Sequence, residues 1–113
     1  MPYVRLSTDR PVGPSEAARL RRELGEAITT FSGKSERWLM TELCGGCVMS
    51  MAGSDEPCAM LSVSLFGEPS EQECRAFTAR VTPVLCEILG LSPARVYVAY
   101  GHTGQWGWNG DNF

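Results

Sequence analysis

The chain has 113 residues, of which 43% are hydrophobic and 20% charged, and its net charge is -3. That composition predicts one soluble domain with a real core but a poor surface-to-volume ratio, which association would relieve. It excludes the basic surface of a nucleic-acid binder and the ~20-residue apolar run of a membrane helix.

The opening MPYVRLSTDR lacks a charged leader followed by an apolar stretch, so it predicts a cytoplasmic protein rather than classical export. Val4 and Leu6 alternate with Tyr3, Arg5 and Ser7, the pattern of a short strand over residues 2–8. A turn follows from Asp9 to Pro14, and Ser15 is placed to cap a helix. Ala17, Leu20, Leu24, Ala27, Ile28 and Phe31 recur at helical steps, and Gly33 closes that helix. Residues 37–44 form a second strand. Residues 45–56 form a loop with a short extended piece at 48–51.

Residues 58–66 are the clearest strand, ended by Gly67. Ser70 and Glu73 have the spacing of a capping box, and Phe77, Val81, Val84, Leu85 and Ile88 mark the buried face of the helix that follows. Pro83 lies inside it, which predicts a kink near Ala79 to Pro83. Gly90 ends the helix, and residues 95–100 form a fourth strand before a tail rich in Gly and Trp.

The order strand, helix, strand therefore occurs twice. Gly33-Lys34-Ser35 precedes one strand as Gly90-Leu91-Ser92 precedes another. The fold class is α/β: one domain over residues 1–113, with a four-stranded sheet and both helices on one face. The third strand is apolar at most positions, so its second face is expected to meet another subunit.

The five cysteines, an odd number without a secretion signal, argue against a disulfide framework. Cys44-Gly-Gly-Cys47 has the spacing of a redox or zinc motif. A zinc site usually needs a second such pair, and a thioredoxin-type motif belongs at a helix start. Small residues in a turn account for it better, and no metal or cofactor is expected. His102, the only histidine, reads as a polar loop residue.

Several segments together resemble the family of macrophage migration inhibitory factor and D-dopachrome tautomerase. They are Met1-Pro2, Gly33-Lys34, Ser54-Asp55-Glu56-Pro57-Cys58-Ala59, Ser92-Pro93-Ala94-Arg95-Val96-Tyr97, and Gly107-Trp108-Asn109 with Phe113. The resemblance covers nearly the whole chain. It implies a barrel-like homotrimer with active sites between subunits, and keto–enol tautomerase activity on phenylpyruvate-like and dopachrome-like compounds. It also implies that Met1 is removed, leaving the nitrogen of Pro2 as a free secondary amine. Burial and a nearby cation would keep such an amine neutral and basic near pH 7. Lys34 is the matching cation.

By the same resemblance, Phe66 stands where a backbone amide binds substrate oxygen. Trp106, Trp108 and Phe113 would close an aromatic pocket, and Tyr97 and Trp38 would come from the neighbouring subunit. The chain departs from the family at Ala99, Ser64, the short loop 101–105, and Leu61, which breaks a thiol motif beginning at Cys58. These changes bear on substrate choice and leave Pro2 and Lys34 untouched.

The expected partners are small aromatic keto and enol acids and further copies of the chain. The main alternative is a signalling ligand on the same scaffold, exported by a non-classical route and binding a protein receptor. A weaker third reading is a thiol oxidoreductase using Cys44 and Cys47.

Overall fold

A computed structural model describes residues 1–113. The strands are β1 (Pro2–Thr8), β2 (Met40–Cys44), β3 (Ala59–Phe66) and β4 (Val96–Thr103), and the helices are α1 (Pro14–Ala27) and α2 (Glu71–Leu89). The sheet order is β2-β1-β3-β4. β1 runs parallel to β2 and antiparallel to β3, and β4 runs parallel to β3. Each half is thus a strand–helix–strand unit with a parallel pair, as the repeated pattern predicts. No helix is long and apolar enough to cross a membrane.

Strict alternation places the core. Pro2, Val4, Leu6 and Thr8 of β1 and Ala59, Leu61, Val63 and Leu65 of β3 point inward. They meet Leu20, Leu24 and Ala27 of α1 and Phe77, Val81, Leu85 and Leu89 of α2. The only buried polar side chain, Thr8, donates to the Cys58 carbonyl at 2.8 Å. The outward positions of β3 are Met60, Ser62, Ser64 and Phe66, so its second face is more polar than its composition suggests. On that face Tyr3 donates to Glu42, and Arg5 lies 3.4 Å from the same carboxylate.

Several local expectations change. Ser15 does not cap α1: Gly13 is the cap and Pro14 opens the helix, where its missing N–H costs nothing. β2 begins at Met40 rather than Arg37, because Glu36–Trp38 coil into a 3₁₀ turn. In place of an extended piece at 48–51 there is a single bridge between Met51 and Ser54. Arg95 belongs to a 3₁₀ turn before β4, and its guanidinium donates to the carbonyls of Met51, Ser54, Glu56 and Pro57. α2 remains helical through Pro83, and the hydroxyl of the adjacent Thr82 donates to the Thr78 carbonyl one turn earlier. His102 lies on β4, not in a loop.

The tail forms a small hairpin, β5 (Gly107–Trp108) with β6 (Asp111–Asn112). Asn109 and Gly110 turn it with φ of 56° and 82°. Positive values at both central positions suit Asn-Gly. The Cys44–Cys47 segment is a tight turn against the chain at residues 10–12. A side chain on Gly45 would come within 2.7 Å of the Val12 nitrogen, and Gly46 has φ of +66°. All five cysteines are free thiols.

The capping box is fully formed. Ser70 Oγ accepts from the Glu73 N–H at 3.0 Å, and the Glu73 carboxylate accepts from the Ser70 N–H at 2.8 Å. The same carboxylate also accepts from the Ser32 N–H at 2.6 Å, tying the start of α2 to the segment after α1. These backbone donors, Ser70 first, lower its pKa from 4.5 to about 2. Replacing Ser70 with Ala should cost ~1 kcal/mol, read as a drop of a few degrees in melting temperature. The Glu73 contribution is present above pH 4.5 and lost as pH falls towards about 2. Across that window Glu73→Gln should therefore flatten the acid-induced fall in melting temperature.

Candidate active site

β1 brings the amino terminus to the end of β3, because antiparallel pairing sets Pro2 opposite Leu65. Pro2 is buried at the first position of the strand. A proline fits there because its missing N–H removes no bond from the strand interior. Met1, before it, lines an open cleft of about 330 Å³ with Gly33, Lys34, Trp38, Phe66 and Phe113. That size suits a small aromatic ligand.

The main chain of Phe66 is the meeting point. Its N–H donates to the Met1 carbonyl at 3.0 Å. Its carbonyl accepts from Lys34 Nζ at 2.8 Å. The Lys34 ammonium also stands 5.9 Å from the centre of the Phe66 ring. Lys34 reaches this point from the segment between α1 and β2, where its N–H is bound by the Phe31 carbonyl at 3.1 Å. The terminal amine is held below its ordinary value, chiefly by burial and then by the positive charge of Lys34. None of the ion pairs, Arg5–Glu42, Arg19–Glu87 and Arg75–Glu71, includes Lys34.

Aromatic rings form the wall. Phe66 and Phe113 have centroids 5.4 Å apart. Phe113 stacks on Trp108 at 6.4 Å, and Trp108 meets Trp38 edge-on at 5.1 Å. The tail is held in place where the Phe113 N–H donates to the Trp106 carbonyl at 3.1 Å. A second hollow, continuous with Met1 and Trp38, is lined by Pro2, Arg37, Trp106 and Trp108. Trp108 and Phe113 remain 51% and 57% exposed, so the wall is open on its outer side.

The structure thus gathers Pro2, Lys34, Phe66, Trp38, Trp106, Trp108 and Phe113 around one opening. Trp38 differs from expectation. It belongs to the same chain as Pro2 and Lys34, because the 3₁₀ turn leads directly into β2, the strand beside β1. Tyr97 is not at the opening. It pairs with Met60 at the far end of β3 from Phe66, about 20 Å away at roughly 3.3 Å per strand residue. It is 61% exposed on the outward face of β4. Ser64 and Ala99 also lie on that outward face, paired with Tyr3 and Ser62 respectively.

Sequence reasoning missed Arg37, whose guanidinium lies 5.1 Å from the centre of the Trp38 ring. The signal was a basic residue next to an aromatic one, close after Lys34. It also missed the hairpin that sets Trp108, although Asn109-Gly110 was legible.

The family model for macrophage migration inhibitory factor matches residues 1–113. D-dopachrome decarboxylase of Gallus gallus is 35% identical over 94% of this chain and 90% of its own length. Macrophage migration inhibitory factor of Meriones unguiculatus is 27% identical over 100% of this chain and 99% of its own. Among solved structures, Leishmania major MIF2 superposes with a TM-score of 0.94 at 28% identity, covering 100% of this chain and 97% of that one. The homologue from Prochlorococcus marinus gives 0.78 at 25% identity, over 98% of both chains. Agreement that runs from the first residue to the last, in sequence and in fold, leaves no part of the molecule unaccounted for: the chain belongs to the macrophage migration inhibitory factor family.

Proposed function

We propose that the chain is a keto–enol tautomerase for phenylpyruvate-like and dopachrome-like compounds, with the Pro2 nitrogen as general base once Met1 has been removed. The observation that carries this is the Phe66 main chain, bonded to Met1 on one side and to Lys34 on the other. While Met1 is attached, the Pro2 nitrogen is an amide and the Phe66 N–H is occupied. Removing Met1 changes both together: the nitrogen becomes a secondary amine, and a backbone donor beside it is freed for a substrate oxygen.

That amine begins a buried strand residue close to Lys34. Burial and the cation both disfavour its protonated form. The substrate ring lies against Phe113 and Trp108. The Pro2 nitrogen takes a proton from the carbon beside the carbonyl, and the electron pair moves onto the carbonyl oxygen. The Phe66 N–H and an ammonium hydrogen of Lys34 donate to that oxygen as it becomes negative. One hydrogen of Lys34 is engaged with the Phe66 carbonyl, which leaves others free. The proton then returns from the Pro2 ammonium to the oxygen, giving the enol, and the reverse reaction follows the same path. The name of the chicken relative, D-dopachrome decarboxylase, supports a dopachrome-like substrate.

We further infer a homotrimer. The outward face carrying Tyr97, Ala99 and Gly101 is bare within one chain. An exposed tyrosine far from its own cleft is free to enter a neighbour's. Sedimentation at the mass of three chains is the expected result. The alternative of a secreted signalling ligand draws support from the names of the relatives, and it does not require a free Pro2 nitrogen.

Intact-mass measurement should show loss of Met1. Pro2→Gly should lower kcat/KM for phenylpyruvate enolisation by about a hundredfold or more. An unchanged rate would overturn Pro2 as the base, and the absence of any rate in the wild type would leave the ligand reading. The acid limb of the kcat/KM profile should lie below the roughly 7.7–8.0 of an ordinary terminal amine. Lys34→Ala should move that limb upward, because losing a nearby positive charge makes protonation easier. An unmoved limb would show that burial alone sets it.

A further inference from the structure

Lys34 has a cationic companion at the opening. Arg37 stands at the middle of the 3₁₀ turn, with its guanidinium carbon over the Trp38 ring, 5.1 Å from its centre. It lines the hollow that Pro2, Trp106 and Trp108 share. Arg5, Arg19 and Arg75 each face a carboxylate, whereas Arg37 faces an aromatic ring and takes part in no ion pair. With no carboxylate partner in the chain, the Arg37 guanidinium keeps its fork of N–H donors for a planar, two-pronged acceptor. The opening therefore holds two cations without acidic partners, one over each of two adjoining hollows.

A 2-oxo acid presents two different oxygen groups. Its carboxylate is charged throughout the reaction, while its carbonyl oxygen gains charge only on the way to the enol. A second cation lets the permanent and the developing charge be held by separate groups.

We propose that Arg37 is a separate carboxylate subsite, which holds the permanent charge of an aromatic 2-oxo acid while Lys34 and the Phe66 N–H take the developing enolate oxygen. This assignment rests on the proposed tautomerase site for the identity of the reacting atoms, but the anion subsite itself is a matter of binding. It makes the site selective for acids over their esters and over neutral ketones. A contact present equally in ground and transition states acts on KM, and a contact to developing charge acts on kcat. The two cations should therefore separate in kinetics.

Arg37→Gln should raise KM for phenylpyruvate about tenfold, the scale of losing one charge-assisted pair, with kcat within about twofold. The methyl ester should respond to neither the presence nor the loss of Arg37. Arg37→Lys, which keeps charge but not the fork, should fall between. A second measurement does not depend on turnover: calorimetric binding of 3-phenylpropanoate and of its methyl ester to wild type and Arg37→Gln. Wild type should prefer the acid, and the variant should lose that preference. Equal loss for acid and ester, or no loss for the acid, would overturn the subsite. If Pro2→Gly leaves turnover unchanged while the acid preference still depends on Arg37, the base assignment fails and the subsite stands.

Discussion

Two hydrogen bonds on one residue organise this protein. The Phe66 N–H binds the residue that precedes Pro2, and the Phe66 carbonyl binds Lys34. The partners come from the start of β1 and from the segment before β2, so the bonds join the end of β3 to two other parts of the chain. Shifting β3 by one residue against β1 would carry Phe66 inward and turn Leu65 out. The core therefore protects the site geometry: the alternation that buries Leu61, Val63 and Leu65 also aims the Phe66 ring into the cleft.

The same alternation creates an unequal sheet. One face is sealed by α1 and α2 around Phe31 and Phe77, whose rings lie 5.1 Å apart. The other carries serines, Tyr3, Tyr97 and the Arg5–Glu42 pair. Small and polar groups there leave a surface that can approach another sheet closely without a dry hydrophobic seam. Tyr97 projects from that surface on β4, whereas Pro2 begins the buried row of β1, two strands away. The fold thus sets a cleft at one end of the sheet apart from an outward face that is bare within one chain.

Much of this was legible because it follows from periods and caps. The two-residue alternation of β1 and β3 and the Ser70–Glu73 box each state their structure locally. The motifs 54–59 and 92–97 were visible separately, but not as one device. Arg95 joins them by donating to the carbonyls of the 51–57 loop, a link across more than a third of the chain that no local pattern expresses. The resemblance implies a Trp38 from the neighbouring subunit, whereas the 3₁₀ turn at residues 36–38 sets the ring at the cleft of its own chain. Pro83 predicts a kink, and α2 runs on through it to Leu89, its buried face of Phe77, Val81, Leu85 and Leu89 holding the helix to the core despite one lost backbone bond. Tyr97 could be recognised, but its separation from Phe66 could not, because that depends on which end of β4 pairs with which end of β3.

Met1 and Phe113 both line the cleft, so the chain's two ends meet at its most sensitive place. Anything fused to either end would sit in the doorway of the pocket and report on its own interference. The loop of residues 45–56 offers a better handle. Val48 there is fully exposed, and the loop is anchored away from the cleft by the turn against residues 10–12 and by Arg95. A fluorophore or an affinity peptide inserted beside Val48 would leave both ends of the chain untouched.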